Sequence, residues 1–335
     1  MAFQGVGDLA QSFQLRRENA RLQDELRTLT NELSSGRTSD LGRAVSGDFG
    51  ALSGLERSLS AITAYETAAT ETRLMAETAQ STLELVRSKG TDNAQSLLLA
   101  SGDFQPGLVD AAVETAARAF EDAVSALNIR VGDRSVFAGI ATDGPAIAAP
   151  DVMLNELDVL VAGETTAAGV ATIVSDWFGP GGGFETVGYL GDTTAISDIP
   201  VSQDESVTLD VTAADQGVRD VLAGLAMAAL IDRGALSTEI EARGDLARTA
   251  GNTLMQADYE ITATRARIGI TQERIEDAET RNASEAQTLE LARAELVEID
   301  PFETAARLAS LEVQLETLYA VTARLSRLTL SDYIR

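Results

Sequence analysis

The sequence predicts a mainly α protein. It is expected to be an elongated helical bundle or coiled coil of N- and C-terminal helices, with a small β-containing domain inserted between them. Three observations carry this. From Leu236 onward an apolar residue returns every seventh position: Ile240, Ala247, Leu254, Ile261, Ile268 and Ile275, then Leu289 and Leu296 after a break at Asn282. A shorter seam of the same period runs through Leu15, Asn19, Leu22, Leu26, Leu29 and Leu33. Between the helical halves, residues 132–216 turn to Gly, Pro and short alternating runs. Alternate three- and four-residue spacing is the seam of a helix packed lengthwise on other helices.

In chain order, residues 1–35 form the first helix, closed by Ser34-Ser35-Gly36-Arg37. Residues 36–131 form the N-terminal half of a helical rod. Its first part, 36–54, holds five glycines and is expected to be broken. From Leu55 the positions Ile62, Tyr65, Ala69, Thr72, Ala76, Ala79, Leu83 and Val86 read as a long helix, which Lys89-Gly90 weakens and which continues or restarts to Leu99. Ser101 to Gly107 is a turn, and Val113, Ala117, Phe120, Val124, Leu127 and Val131 mark a third helix.

Residues 132–216 are the inserted β-containing domain. Val170–Val174 and the alternating Val207–Val211 are its expected strands, with a short helix over Asp151–Leu160. Residues 217–299 form the C-terminal half of the rod. Val221–Ile231 reads as a buried helix too short to span a membrane. One helix over Leu236–Ile299 would be roughly 95 Å long at ~1.5 Å per residue. Asp300-Pro301-Phe302-Glu303 then starts a new helix, with Asp as N-cap and Pro at the first helical position. Residues 301–335 carry the seam Leu308, Leu311, Leu315, Leu318, Thr322 and Leu325. Its natural partner is the helix of residues 1–35. Both stripes lack local cover, and each buried leucine is worth ~1.5–3 kcal/mol.

Composition narrows the function. The net charge is −26, from 52 acids against 26 bases. That disfavours nucleic acid and anionic membrane surfaces. With no Cys and no His, the usual zinc sites, thiol catalysis, imidazole acid–base work and disulfides are excluded. Gly179–Gly183 lacks both phosphate-loop spacings, and acidic pairs are expected by chance among so many acids. No calcium-loop spacing is present, and Asn282-Ala283-Ser284 falls inside a helix. Catalytic, cofactor and metal residues are therefore expected to be absent. No cleavable signal peptide is visible over Met1–Arg17.

These features resemble the bacterial flagellin family. Leu33-Ser34-Ser35-Gly36-Arg37 is similar to the motif that closes its first helix. Arg134-Ser135-Val136-Phe137-Ala138-Gly139 is similar to its strand-and-turn lead-in to the middle domain, and Tyr189-Leu190-Gly191-Asp192 to a motif within it. Leu318-Tyr319, Leu325–Leu330 and Tyr333-Ile334 resemble its C-terminal signature. Ala2–Ala10 holds no Asn and Thr38–Ser46 no acidic-alanine stretch, which favours the hook-associated branch over flagellin itself.

The resemblance implies a structural role: a junction linking hook to filament, exported unfolded through the flagellar type III route to the cell exterior. The implied partners are further copies in a homo-oligomeric ring, a neighbouring hook-associated protein, flagellin, and the export machinery with its chaperone. The implied assembly interface is Leu15, Leu22, Leu26, Leu29 and Leu33 with Leu308, Leu311, Leu315, Leu318 and Leu325, extended by Leu328 and Tyr333. The terminal helices are expected to be loosely held in the free chain and to fold as a pair on stacking. Flagellin itself, or a non-flagellar coiled-coil adaptor, are the alternative readings.

Overall fold

The computed structural model describes residues 4–102 and 106–333, and the side chains of 10–102 and 107–324. Its elements in order are α1 (Gln4–Ser35), α2 (Leu41–Ala44), α3 (Gly50–Gly102), α4 (Pro106–Leu127), β1 (Arg130–Val131), β2 (Arg134–Ser135), α5 (Pro150–Val161) and α6 (Ala167–Phe178). One wide π-type turn over Phe184–Gly188 follows. Then come β3 (Ile196–Pro200), β4 (Ser206–Leu209), α7 (Gln216–Asp232), α8 (Ile240–Val297) and α9 (Pro301–Tyr333). The chain divides into two compact units, Ile62–Ala283 and the combined ends Met1–Ala61 with Ser284–Arg335.

The unit Ile62–Ala283 is organised on α7. All of Val218–Ile231 is buried except Asp220. Glycine lets α7 lie close on α8: a Cβ at Gly217 would fall 2.7 Å from the Ile261 nitrogen, and one at Gly224 2.6 Å from Leu254. Around α7 pack α4, α5 and α6, with Leu83, Phe120, Leu157, Trp177, Phe184 and Leu225 in one continuous core. Apolar residues of 132–216 therefore share that core rather than building one of their own.

β3 and β4 form an antiparallel hairpin, Ile199 opposite Val207. The expected alternation of Val207–Val211 is real: β4 buries Val207 and Leu209 and exposes their neighbours. The hairpin lies on Ala69, Ile275 and Ala278. Arg267, Arg274 and Arg281, seven apart on α8, hold it there. Arg274 Nε donates to Glu205 Oε1 at 3.0 Å and its Nη2 to the Ser206 carbonyl at 3.0 Å; Arg281 also donates to Glu205, and Arg267 pairs with Asp210.

Several expectations need correction. Val170–Val174 is not a strand but part of α6. Thr166 caps that helix by accepting from the Gly169 N–H, and Val170, Val174, Trp177 and Phe178 are buried at helical spacing. Residues 36–49 are broken as expected, turns around the four-residue α2, but α3 starts at Gly50 rather than Leu55, and the Gly50 N–H donates to Asp48 Oδ1. Of the two alternatives at Lys89-Gly90, α3 continues rather than restarts; a Cβ at Gly90 would meet Val221 of α7 at 3.4 Å, so the glycine marks a close approach. The long C-terminal helix begins at Ile240, not Leu236. Leu236 has φ +57° in a turn, and Ile240 is exposed at the helix start. Asn282, which breaks the heptad series, is 2% exposed, and its Nδ2 donates to the Val201 carbonyl at 2.7 Å. The break is a seat for the hairpin.

Candidate functional site

The candidate site is the pair of terminal helices, α1 and α9. Their bounds follow from local chemistry. α1 stops at Ser35 because Gly36 takes φ +71° and returns its N–H to the Glu32 carbonyl at 2.8 Å. α9 starts at Pro301 because Asp300 Oδ1 accepts from the N–H groups of Phe302 and Glu303 at 2.9 and 3.1 Å.

The two breaks face each other. The Thr38 N–H donates to the Val297 carbonyl at 2.9 Å, and the Ile299 N–H to the Gly36 carbonyl at 3.2 Å. Arg37 and Glu298 thus form an antiparallel bridge. Glu32 braces this joint from α1, accepting from the Ser39 N–H at 2.7 Å and from the Ser39 and Thr38 hydroxyls. Burial alone would raise the Glu32 pKa. The hydrogen bonds from Ser39 and Thr38, with the charge of Arg307, outweigh it and leave it lowered.

From the joint, α1 and α9 run antiparallel. Leu22, Leu29, Leu311 and Leu315 are buried together, with Leu26, Leu308 and Leu318 half-buried against them. Further along, Gln23 Nε2 donates to Tyr319 Oη at 3.2 Å. Leu15 lies beside Leu318 in a shallow groove of about 640 Å³. Of the expected interface residues, Leu33 is displaced: it is 37% exposed and outside the leucine cluster, because the chain turns away at Gly36 directly after it. The side chains of Leu325, Leu328 and Tyr333 lie outside the described residues, although their backbone continues α9.

One face escaped the sequence reading. Opposite the leucine seam, α9 exposes Phe302, Ala306, Ala309 and Val313. Their spacing of four, three and four is itself an apolar stripe and could have been found.

Elsewhere the chemistry is sparse. Among the described residues no group of three or more metal-ligating side chains gathers, and no described helix is long and apolar enough to cross a membrane. Gly179–Gly182 borders a cavity of about 450 Å³ together with Asp176, Gln216 and Asp220. Burial raises Asp220, whose Oδ1 accepts from Gln216 Nε2 at 2.6 Å. Two acids and no base line that glycine turn, which does not suit a phosphate.

Residues 252–334 match the model of the bacterial flagellin C-terminal helical region. No curated protein matches the chain. Among solved structures, a chain described as a flagellar hook-associated protein from Vibrio parahaemolyticus is similar at TM-score 0.51 and 12% identity, over 73% of this chain and 95% of that one. FlgL from Bacillus cereus is similar at TM-score 0.50 and 10% identity, over 70% and 96%. The fold is that of flagellar hook-associated proteins, mainly helical with small two-stranded sheets.

Proposed function

We propose that a chain with this fold and a flagellin-type C-terminal region is a structural, non-catalytic component of the bacterial flagellum, serving at the junction between hook and filament. The observation that carries the reading is the antiparallel pairing of the two chain ends through Leu22, Leu29, Leu311 and Leu315. Such a pair places the first and last segments of every copy in one two-helix stalk, which further copies can surround.

Charge supports it. Residues 1–35 hold four arginines against five acids, and residues 301–335 four against four. The stalk is thus almost neutral in a chain of net charge −26. Copies can approach there with little repulsion, while the acidic remainder stays solvated. Among the described residues seven leucines cover the pair, which is modest against an ordering cost of ~1–2 kcal/mol per residue. We infer that pairing tightens when copies stack.

On this reading the chain leaves the cell through the flagellar export machinery with a chaperone. It forms a ring of its own copies and contacts a neighbouring hook-associated protein on one side and flagellin on the other. Deleting the gene in its flagellated host should leave hooks without filaments and filament protein in the medium. Filaments that remain attached would refute the junction role. Flagellin itself is the second reading, favoured by the C-terminal match; purified chain that polymerises without limit would select it.

A further inference from the structure

We propose that the cavity bordered by Gly179–Gly182 is a binding site for an organic cation, a guanidinium or primary ammonium group carried on a short chain. It lies within the Ile62–Ala283 unit and does not depend on the flagellar reading.

The walls accept hydrogen bonds and hardly donate them. Thr253 gives its hydroxyl hydrogen to the Thr249 carbonyl at 3.1 Å, and Gln216 Nε2 donates to Asp220 Oδ1 at 2.6 Å. The Gly179 and Gly182 N–H groups go to the Asp176 and Gly179 carbonyls at 3.2 and 3.1 Å. No described residue donates to the Asp176 carboxylate or to Asp220 Oδ2. A ligand must therefore bring the donors.

Charge requires those donors to be cationic. A Cβ at Gly182 would fall 2.2 Å from the Asp176 carbonyl oxygen and 2.4 Å from that of Trp177, so the turn folds back onto the last carbonyls of α6. Such a helix end carries about half a negative charge. Asp176 and Asp220 add two carboxylates, and no base lines the cavity. Burial raises the Asp220 pKa against the Gln216 hydrogen bond and the Arg219 charge, and Glu260 adds to the rise. Arg219 is engaged elsewhere, Nη1 with the Phe178 carbonyl at 3.2 Å and Nη2 with Gln216 Oε1 at 2.8 Å.

Size sets the rest. A volume of about 450 Å³ lies in the range of small-molecule pockets and is more than a bare ion fills. Among the described residues no three metal-ligating side chains gather. Phe178, Pro180 and Ala223 line the apolar part, which suits the methylenes of a short chain.

Isothermal titration of the purified full-length chain tests this, at about 0.15 M salt to screen the acidic surface at large. The probes are butylguanidinium, its neutral counterpart butylurea, and the blocked tripeptide acetyl-Gly-Arg-Gly-amide. Butylguanidinium should bind, and butylurea at least about tenfold more weakly. Asp176→Asn and Asp220→Asn should each weaken butylguanidinium about tenfold or more, while Glu273→Gln, at an exposed acid elsewhere, should leave it unchanged. Circular dichroism checks the fold of each variant; Asp176 is exposed, so its variant reads the site even where Asp220→Asn melts early. Binding of the tripeptide assigns the site to an arginine side chain of another protein, and binding of butylguanidinium alone to a free solute; both uphold it. Binding of neither, equal binding of butylurea, affinity unmoved in both aspartate variants, or an equal loss in Glu273→Gln would each overturn it.

Discussion

Replacing Leu315 by aspartate should dismantle the terminal pair and leave the rest folded. Leu315 is 8% exposed and shares its cluster with Leu22, Leu29 and Leu311. Losing its burial costs ~1.5–3 kcal/mol. A carboxylate held among three leucines adds at least about 2 kcal/mol more, since no cation of the cluster can pair with it. The total, roughly 4 kcal/mol or above, lowers the pairing equilibrium by about a thousandfold at ~1.4 kcal/mol per factor of ten. None of this reaches α7, whose core contacts are Leu222, Leu225, Met227 and their neighbours in the other unit. Hydrogen exchange should therefore keep α4 and α7 protected, while motility and filament retention are lost. Ser310→Asp, at an exposed site on the same helix, is the control and should swim normally. A Leu315→Asp strain that swims and keeps its filaments would refute the reasoning.

Three further outcomes follow from single contacts. Asn282→Leu leaves the Val201 carbonyl without its donor and should cost ~1–3 kcal/mol in urea denaturation; an unchanged midpoint would mean the contact contributes nothing. Gly139→Ala should destabilise strongly, because φ is +58° and a Cβ there would meet the Asp192 carbonyl oxygen; normal melting would contradict that geometry. Glu32 has a folded pKa below its unfolded value, so its contribution is complete above the unfolded value and is lost as pH falls through the folded one. Acid titration should loosen the joint in the natural chain, read by hydrogen exchange at Gly36–Thr38, and Glu32→Gln should remove that pH dependence.

The sequence announced what repeats and what caps. Leucine spacing located both terminal helices, and Asp300-Pro301 located the start of α9. It was silent where a residue's meaning depends on a distant partner. Asn282 reads as a flaw in a heptad until Val201 is brought against it. Val170–Val174 is β-branched and looks like a strand; Thr166 and the burial of Trp177 and Phe178 make it helix. Gly90 reads as a weak point in a helix, and the structure shows that it marks where α7 approaches. The brace of Glu32 on Ser39 has no sequence signal, because any acid near a helix end looks alike. The outer stripe of α9 was readable and was masked by the stronger seam on the other side.

The central claim is that the first and last helices of one chain are partners within that chain. Gln23 and Tyr319 touch across the pair at 3.2 Å, and the natural chain has no cysteine to interfere with labelling. Spin labels at Gln23→Cys and Tyr319→Cys, in flagella where labelled copies are diluted with natural ones, should give a single short distance. A broad distribution at long distance, or a short one that vanishes on dilution, would contradict it.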